Sequence, residues 1–166
     1  MNVRRFILAF IGALALSACA PVEAPAAEGP VLITLQRSAC YGFCPVYRVT
    51  ISGEGEVVFT GQAFVNVVGE RRANIPRADV QRLLQRFDEV NFDSLRDAYR
   101  AQVSDLPTYT VTLERNGQRK SVVDYGGVSA GMPRAIRDLQ DEIDRVANTS
   151  QWVLRNGQPV RDRPQP

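Results

Sequence analysis

Cysteines are the residues of this 166-residue chain best suited to do chemistry, and two of the three, Cys40 and Cys44, stand four positions apart in SACYGFCPVYRV with Pro45 directly behind. Thiols at that spacing can close a local disulfide, form a redox pair or clamp Cu(I). A redox pair is usually separated by two residues and sits at a helix N-terminus, which lowers a thiol pKa. Here three residues intervene and a β-rich run follows. The chain contains no histidine. That excludes Ser–His and Cys–His nucleophile pairs, histidine acid–base catalysis and the commonest zinc and copper ligand. A disulfide pinning a turn is the economical reading, and Gly42 supplies the residue free to take positive φ inside so tight a loop. The redox and Cu(I) readings stay open beside it.

Other candidate chemistry is sparse. Asp93, Asp97, Asp105 and Asp124 could pair as carboxylates for glycoside chemistry or offer oxygen ligands to a metal. Beside turns, aspartates more simply accept hydrogen bonds from nearby backbone N–H groups. Ser38 and Ser121 have no base to activate them. Tyr41, Tyr47, Tyr109 and Tyr125 could line a groove that stacks a sugar or a peptide, although half of a strand's aromatics face the core. We expect no enzyme activity, no cofactor and no metal.

The elements that must position these residues are legible from periodicity. VLITLQR (31–37) and VYRVTIS (46–52) are β-rich, and the second alternates Tyr47, Val49 and Ile51 against polar neighbours. GEG at 53–55 is a turn, EVVFTG returns as a third strand, and a fourth is expected at Phe64–Val68, ended by Gly69 and the charged ERR. Pro76 fits the first turn of a helix with Val80, Leu83, Leu84 and Phe87 as its apolar stripe. Phe92 and Leu95 should cap the core, and RAQVSDLP should be a loop. Tyr109, Val111 and Leu113 alternate toward the Asn116-Gly117 turn, the strongest hairpin signal in the chain. Gly126 and Gly127 break the returning strand. A second helix carries Ile136, Leu139, Ile143 and Val146, with Arg134–Asp138, Arg137–Asp141 and Asp141–Arg145 spaced for exposed pairs. The fold class expected is α+β: an antiparallel sheet with both helices packed on one face, a two-layer sandwich in the order strands, helix, hairpin, helix.

The N-terminus speaks to location. Arg4 and Arg5 precede an apolar run from Phe6 to Leu16, too short to span a bilayer, and LSAC at 16–19 resembles the lipobox of bacterial lipoproteins. That resemblance implies a signal peptide over 1–18, acylation of Cys19 and attachment to the membrane by a lipid anchor. Ala20 behind the cysteine, where an aspartate would retain the protein in the inner membrane, favours the outer membrane, facing the periplasm. Residues 19–30, with APVEAPAAEGP, read as a tether reaching roughly 30 Å at about 3.1 Å per residue. One domain should fill 31–152, with 153–166 a disordered tail. Without residues 1–18 the chain carries 18 basic and 18 acidic residues. So balanced a charge argues against nucleic acid as a partner and leaves an envelope protein or the cell wall.

Two resemblances bear on the motif. CYGFCP matches the CxxxCP of Sco-type copper chaperones over six residues, but that family pairs a thioredoxin fold with a distant histidine ligand, and this chain has neither. A second likeness runs from Ile33 to Trp152. ITLQRSACYGFCPVYRVTISGEGEVVF, the helix leading to NFDSLRDAY, then SDLPTYTVTL and VVDYGG occur in order and resemble an uncharacterised family of bacterial envelope lipoprotein domains, a domain of unknown function marked by CYGxCPxY and DYGG. Its motif residues fall on Cys40, Tyr41, Gly42, Cys44, Pro45, Tyr47, Asp105, Pro107, Tyr109, Asp124, Tyr125, Gly126 and Gly127. The likeness implies an envelope location and names no activity. Taken together, these readings predict a non-catalytic binding module stapled by Cys40 and Cys44, with Tyr41, Tyr47, Asp124, Tyr125, Gly126 and Gly127 as its binding loop.

Overall fold

A computed structural model describes residues 30–162. The runs flanking the cysteine motif become β1 (Leu32–Arg37) and β2 (Val46–Ser52), antiparallel, with Ile33 opposite Ile51 and Leu35 opposite Val49. Side chains alternate across a strand, so this register places those four on one face, where all are fully buried. β3 (Glu56–Ala63) and β4 (Gly69–Asn74) extend the sheet from β2. On the other flank come β5 (Ala98–Arg100), β6 (Tyr109–Arg115) and β7 (Gln118–Tyr125), giving seven strands in the order β4-β3-β2-β1-β6-β7-β5.

Helix α1 (Arg77–Glu89) follows Pro76 and buries Val80, Leu83, Leu84 and Phe87. Burying side chains of this kind is worth roughly 1.5–3 kcal/mol each, so the stripe and not helix propensity holds α1 in place. Helix α2 (Arg134–Val146) follows Pro133 and buries Ile136, Leu139, Gln140 and Ile143. Both stripes join the inward residues of the sheet, with Phe92 and Trp152, in one apolar cluster. The class is α+β.

Several expectations need correction. The sheet is mixed and larger than expected, because β5 pairs parallel with β7. Its cause is the route of the chain: α1 and a 3-10 turn at Phe92–Ser94 carry it from β4 at one edge to β5 at the other. The strand expected at Phe64–Val68 is a loop. Phe64 takes φ +52, which ends β3, and the N–H groups of Asn66 and Val67 donate to Val153 and Trp152. GERRAN, which the sequence suggested as a breaker, forms β4 instead, an edge strand with charges on both faces, a common guard against unwanted pairing.

The helices number three among the described residues, not two, since α3 (Ser150–Val153) follows α2 and stacks Trp152 on Phe59 at 5.1 Å. Residues after Trp152 are not featureless up to Asp162. β8 (Leu154–Arg155) and β9 (Gln158–Pro159) close a small hairpin at Asn156-Gly157, and Val160 is buried. The expected signal peptide over 1–18, Cys19 with its expected acylation, the expected tether through residue 29 and residues 163–166 lie outside the described residues. No described helix is long and apolar enough to cross a membrane.

Candidate functional site

All the loops that carry the family-like motifs lie at the same end of the sheet. β1 ends at Arg37 and β2 begins at Val46, β5 ends at Arg100 and β6 begins at Tyr109, and β7 ends at Tyr125. The structure joins Cys40 to Cys44 with Cα atoms 5.7 Å apart, a separation a disulfide spans without backbone movement. Gly42 sits inside that loop at φ +150, and its N–H donates to the Cys40 carbonyl at 3.0 Å.

Backbone contacts lock the neighbouring loops to this one. Ser38 N–H donates to Thr108 O at 2.9 Å, Thr108 N–H returns to Ser38 Oγ at 2.9 Å, and Tyr41 N–H donates to Asp105 O at 3.2 Å. Ser38, a nucleophile candidate by type alone, is thus a loop clasp. On the far side Ala101 N–H donates to Tyr125 O at 2.8 Å. Gly126 takes φ +62, and a Cβ there would stand 3.0 Å from Ala101 Cβ and 3.1 Å from Leu106 Cδ1. Loops 38–45, 101–108 and 126–131 therefore lie side by side, and the glycine pair is what lets the third approach.

Their tips are apolar and wet. Tyr41 is 88% exposed and Phe43 57%, and Val103, Leu106 and Val128 are exposed as well. Phe43 meets Phe64 edge-on at 5.6 Å, so the β3–β4 loop adjoins the same surface.

Beneath the tips lies a bracket of charged groups tying α2 and α3 to the sheet. Asp124 is fully buried. It accepts from Gly127 N–H at 2.7 Å and Gln140 Nε2 at 3.0 Å, and pairs with Arg137 at 2.8 Å. Gly127 has no room for a side chain, since a Cβ would fall 2.7 Å from Asp124 Oδ1. Arg137 and Arg37 lie over the Tyr109 ring, their guanidinium carbons 4.6 and 4.5 Å from its centroid. Arg37 in turn donates to Asp144 through Nε at 2.8 Å and through Nη2, and reaches Asp141 at 3.3 Å. Asp144 also accepts from Tyr47 Oη at 2.7 Å and Thr149 Oγ1 at 2.8 Å.

Burial pulls the Arg37 pKa down, but the charge and hydrogen bond of Asp144, with Tyr47 and Tyr109 beside it, together outweigh that and leave the guanidinium above its ordinary range. Burial, and then the Asp144 charge, push the Tyr47 phenol well above the usual tyrosine value. Both carboxylates are saturated with donors, an arrangement suited to holding elements together. The orphan acceptor here is Gln140 Oε1, buried with no hydrogen-bond partner.

This geometry sorts the residues expected at the binding loop. Tyr41 is at the surface, and Tyr125, Gly126 and Gly127 shape the third loop. Tyr47 and Asp124 are buried and act from below, so neither can touch a partner directly. Asp93 pairs with Arg115, Asp97 with Lys120, and Asp105 accepts from Ser104, so the four aspartates serve four separate places. The pairs expected along α2 are replaced: Arg137 turns to Asp124, Asp141 to Arg37, and Arg145 to Glu142. Phe43, Val103, Leu106, Val128, Arg37 and Asp144 were not legible as site residues, because only the folded sheet brings them together.

Grooves also lie elsewhere among the described residues. One of about 340 Å³ between α1 and α2 is lined by Arg82, Arg86, Arg145, Asp79, Glu89 and Glu142, charges that pair with one another. Another of about 370 Å³ is lined by Asp93, Arg115, Arg119 and Lys120. Neither is lined by a motif residue. Among the described residues no cluster of three or more Cys, Asp or Glu could hold a metal ion.

No curated protein matches the chain. A family described as a domain of unknown function, DUF6438, matches residues 31–147, which span β1 through α2, both motif clusters and the whole of the bracket except Thr149, and the chain belongs to that family.

Proposed function

We propose that this is a lipid-anchored protein of the cell envelope, held in the outer membrane through acylated Cys19 and facing the periplasm, whose DUF6438 domain is a non-catalytic binding module for an envelope protein or the cell wall. The lipobox-like LSAC and the proline-rich spacer support the anchor. The observation that carries the binding reading is the convergence of three loops on one stapled surface with Tyr41 and Phe43 at its tips. Exposed apolar clusters on loops fixed by a rigid scaffold are where proteins bind.

The rival is a thiol redox or Cu(I)-handling protein acting through Cys40 and Cys44. Trapping thiols with acid in the native envelope and scoring them with a mass-shifting alkylating reagent separates the two. Full oxidation that resists mild reductant is the expected result. Reduced, metal-loaded or readily cycled cysteines would replace the binding module with the thiol chemistry.

A further inference from the structure

Among the exposed apolar tips stands one carboxylate. Asp105 is the only formally charged residue in loops 38–45, 101–108 and 126–131. It is exposed, adopts φ +72, and its carbonyl is fixed by Tyr41 N–H at 3.2 Å. Its carboxylate accepts from Ser104 Oγ at 2.8 Å, and no cation among the described residues pairs with it. Leu106 follows it in the chain, and the backbone of Tyr41 is bonded to its own. The surface therefore offers apolar and aromatic contact around a fixed negative charge.

The described chain begins at the other end of the sheet from this surface. Val31 enters at the opposite end of β1, where its carbonyl accepts from Gly53 N–H at 2.9 Å beside the β2–β3 turn. Twenty-nine residues precede the described part there. Val31 is thus separated from the loop tips by the length of β1, about 20 Å at roughly 3.3 Å per residue.

We propose that the loop tips receive an extended apolar segment of a second protein carrying one lysine or arginine, whose cation sits against Asp105 and the Tyr41 ring while its apolar neighbours cover Phe43, Val103, Leu106 and Val128. Opposite charge fixes the register and the aromatic face adds cation–π attraction. Exposed apolar area supplies the rest, and patches of this kind on monomers run to about 300–600 Å². This inference rests on the binding-module reading and names its partner's chemistry.

The test uses the purified full chain with its disulfide intact, and three fluorescent sets of nonapeptides rich in Val, Leu and Pro, with arginine, glutamine or glutamate at the centre. The arginine set should bind at least fivefold more tightly than the glutamine set, with the glutamate set weaker still, and the gap should shrink between 50 and 500 mM NaCl. Asp105→Asn should abolish the preference for arginine, while Tyr41→Ser and Leu106→Ser should weaken binding of all sets tenfold or more. These side chains are exposed, so the variants keep the fold, checked by thermal melting. Equal affinity for the three sets, no binding of any, or binding indifferent to Tyr41→Ser overturns the proposal. So does Tyr41-dependent binding to phosphatidylcholine–phosphatidylglycerol vesicles without peptide binding, or a Tyr41-dependent dimer in sedimentation, which would assign the surface to lipid or to a second copy. Locked thiols with no peptide preference sink this inference alone, whereas cycling thiols sink the binding module itself.

Discussion

The two ends of the sheet are built on different terms. At one, β2 and β3 are joined by Gly53–Gly55 and β6 and β7 by Asn116-Gly117, turns of two or three residues, and the charges around them pair at the surface, as in Arg77–Glu54 and Arg119–Glu114. At the other, loops 38–45 and 101–108 run eight residues each, a disulfide closes the first, and partly buried ion pairs, one of them on the fully buried Asp124, brace the base. The contrast shows where constraint has been placed. Tight turns need little beyond the right glycine, while long loops with apolar tips would collapse or fray unless something beneath held them. Buried charges are a costly way to do that, and they occur here under the surface that the motifs mark.

The sharpest way to break the contrast is at Asp124. Asp124→Ala leaves Gln140 Nε2 and Gly127 N–H without their acceptor in a fully buried position and removes the partner of Arg137, itself a third exposed. Leaving a buried donor unsatisfied costs about 1–3 kcal/mol each, so with two of them urea unfolding should show a loss above that from removing the staple or an exposed ion pair. Asp124→Asn keeps an acceptor for Gly127 and should lose less.

Next comes the staple. Replacing Cys40 and Cys44 together by serine should cost about 2 kcal/mol for so short a loop. Amide hydrogen exchange distinguishes local from global loosening: protection should fall at Tyr41 and Gly42 and stay unchanged at Asn116 and Gly117. Equal loss at both ends would mean that the disulfide stabilises the whole sheet and not its loop surface.

A third prediction concerns pH. The folded-state pKa of Tyr47 lies above its unfolded value because burial and Asp144 favour the protonated phenol. The folded state then holds this proton more tightly than the unfolded one. That contribution is fully present below about pH 10, the ordinary tyrosine pKa, and is lost as pH rises beyond it toward the folded value. Stability should fall between pH 10 and 11.5 with a slope from this group of up to about 1.4 kcal/mol per unit. Tyr47→Phe should remove that slope, as read by denaturant unfolding across the range.

Much of the frame was legible in the chain because burial writes itself as period. Val80, Leu83, Leu84 and Phe87 were readable as one stripe and are the buried residues of α1. Asn116-Gly117 was readable as a turn and adopts φ +52 and +73 there. What stayed hidden had no period to show. β4 is wet on both faces, so GERRAN looks like a breaker, and β5 is three residues long. Asn156-Gly157 carries the same turn signal as Asn116-Gly117, but two-residue strands lack the alternation that would have confirmed it. Helical spacing suggested Arg137–Asp141, yet Asp124 and Arg37 arrive from the sheet and take those partners. The site divides the same way. CYGFCP and DYGG were visible as strings, whereas their meeting depends on contacts between β1, β6 and β7, and residues such as Leu106 and Val128 have no local mark.

The smallest expected effect completes the comparison at the turn end. Arg115 pairs with Asp88 at 2.7 Å and Asp93 at 2.9 Å, so by partner count it resembles Arg37. Its environment differs, since both aspartates are more than half exposed while Asp144 is 16% exposed. Exposed pairs are screened and require two long side chains to hold one geometry, which leaves about 0–1 kcal/mol. Arg115→Ala should therefore move the urea midpoint far less than Asp124→Ala, and the difference from wild type should fade in high salt. A loss as large as that of Asp124→Ala would mean that burial is not what separates the two ends, and the bracket under the loops would then be one ion network among several and not the support for a surface.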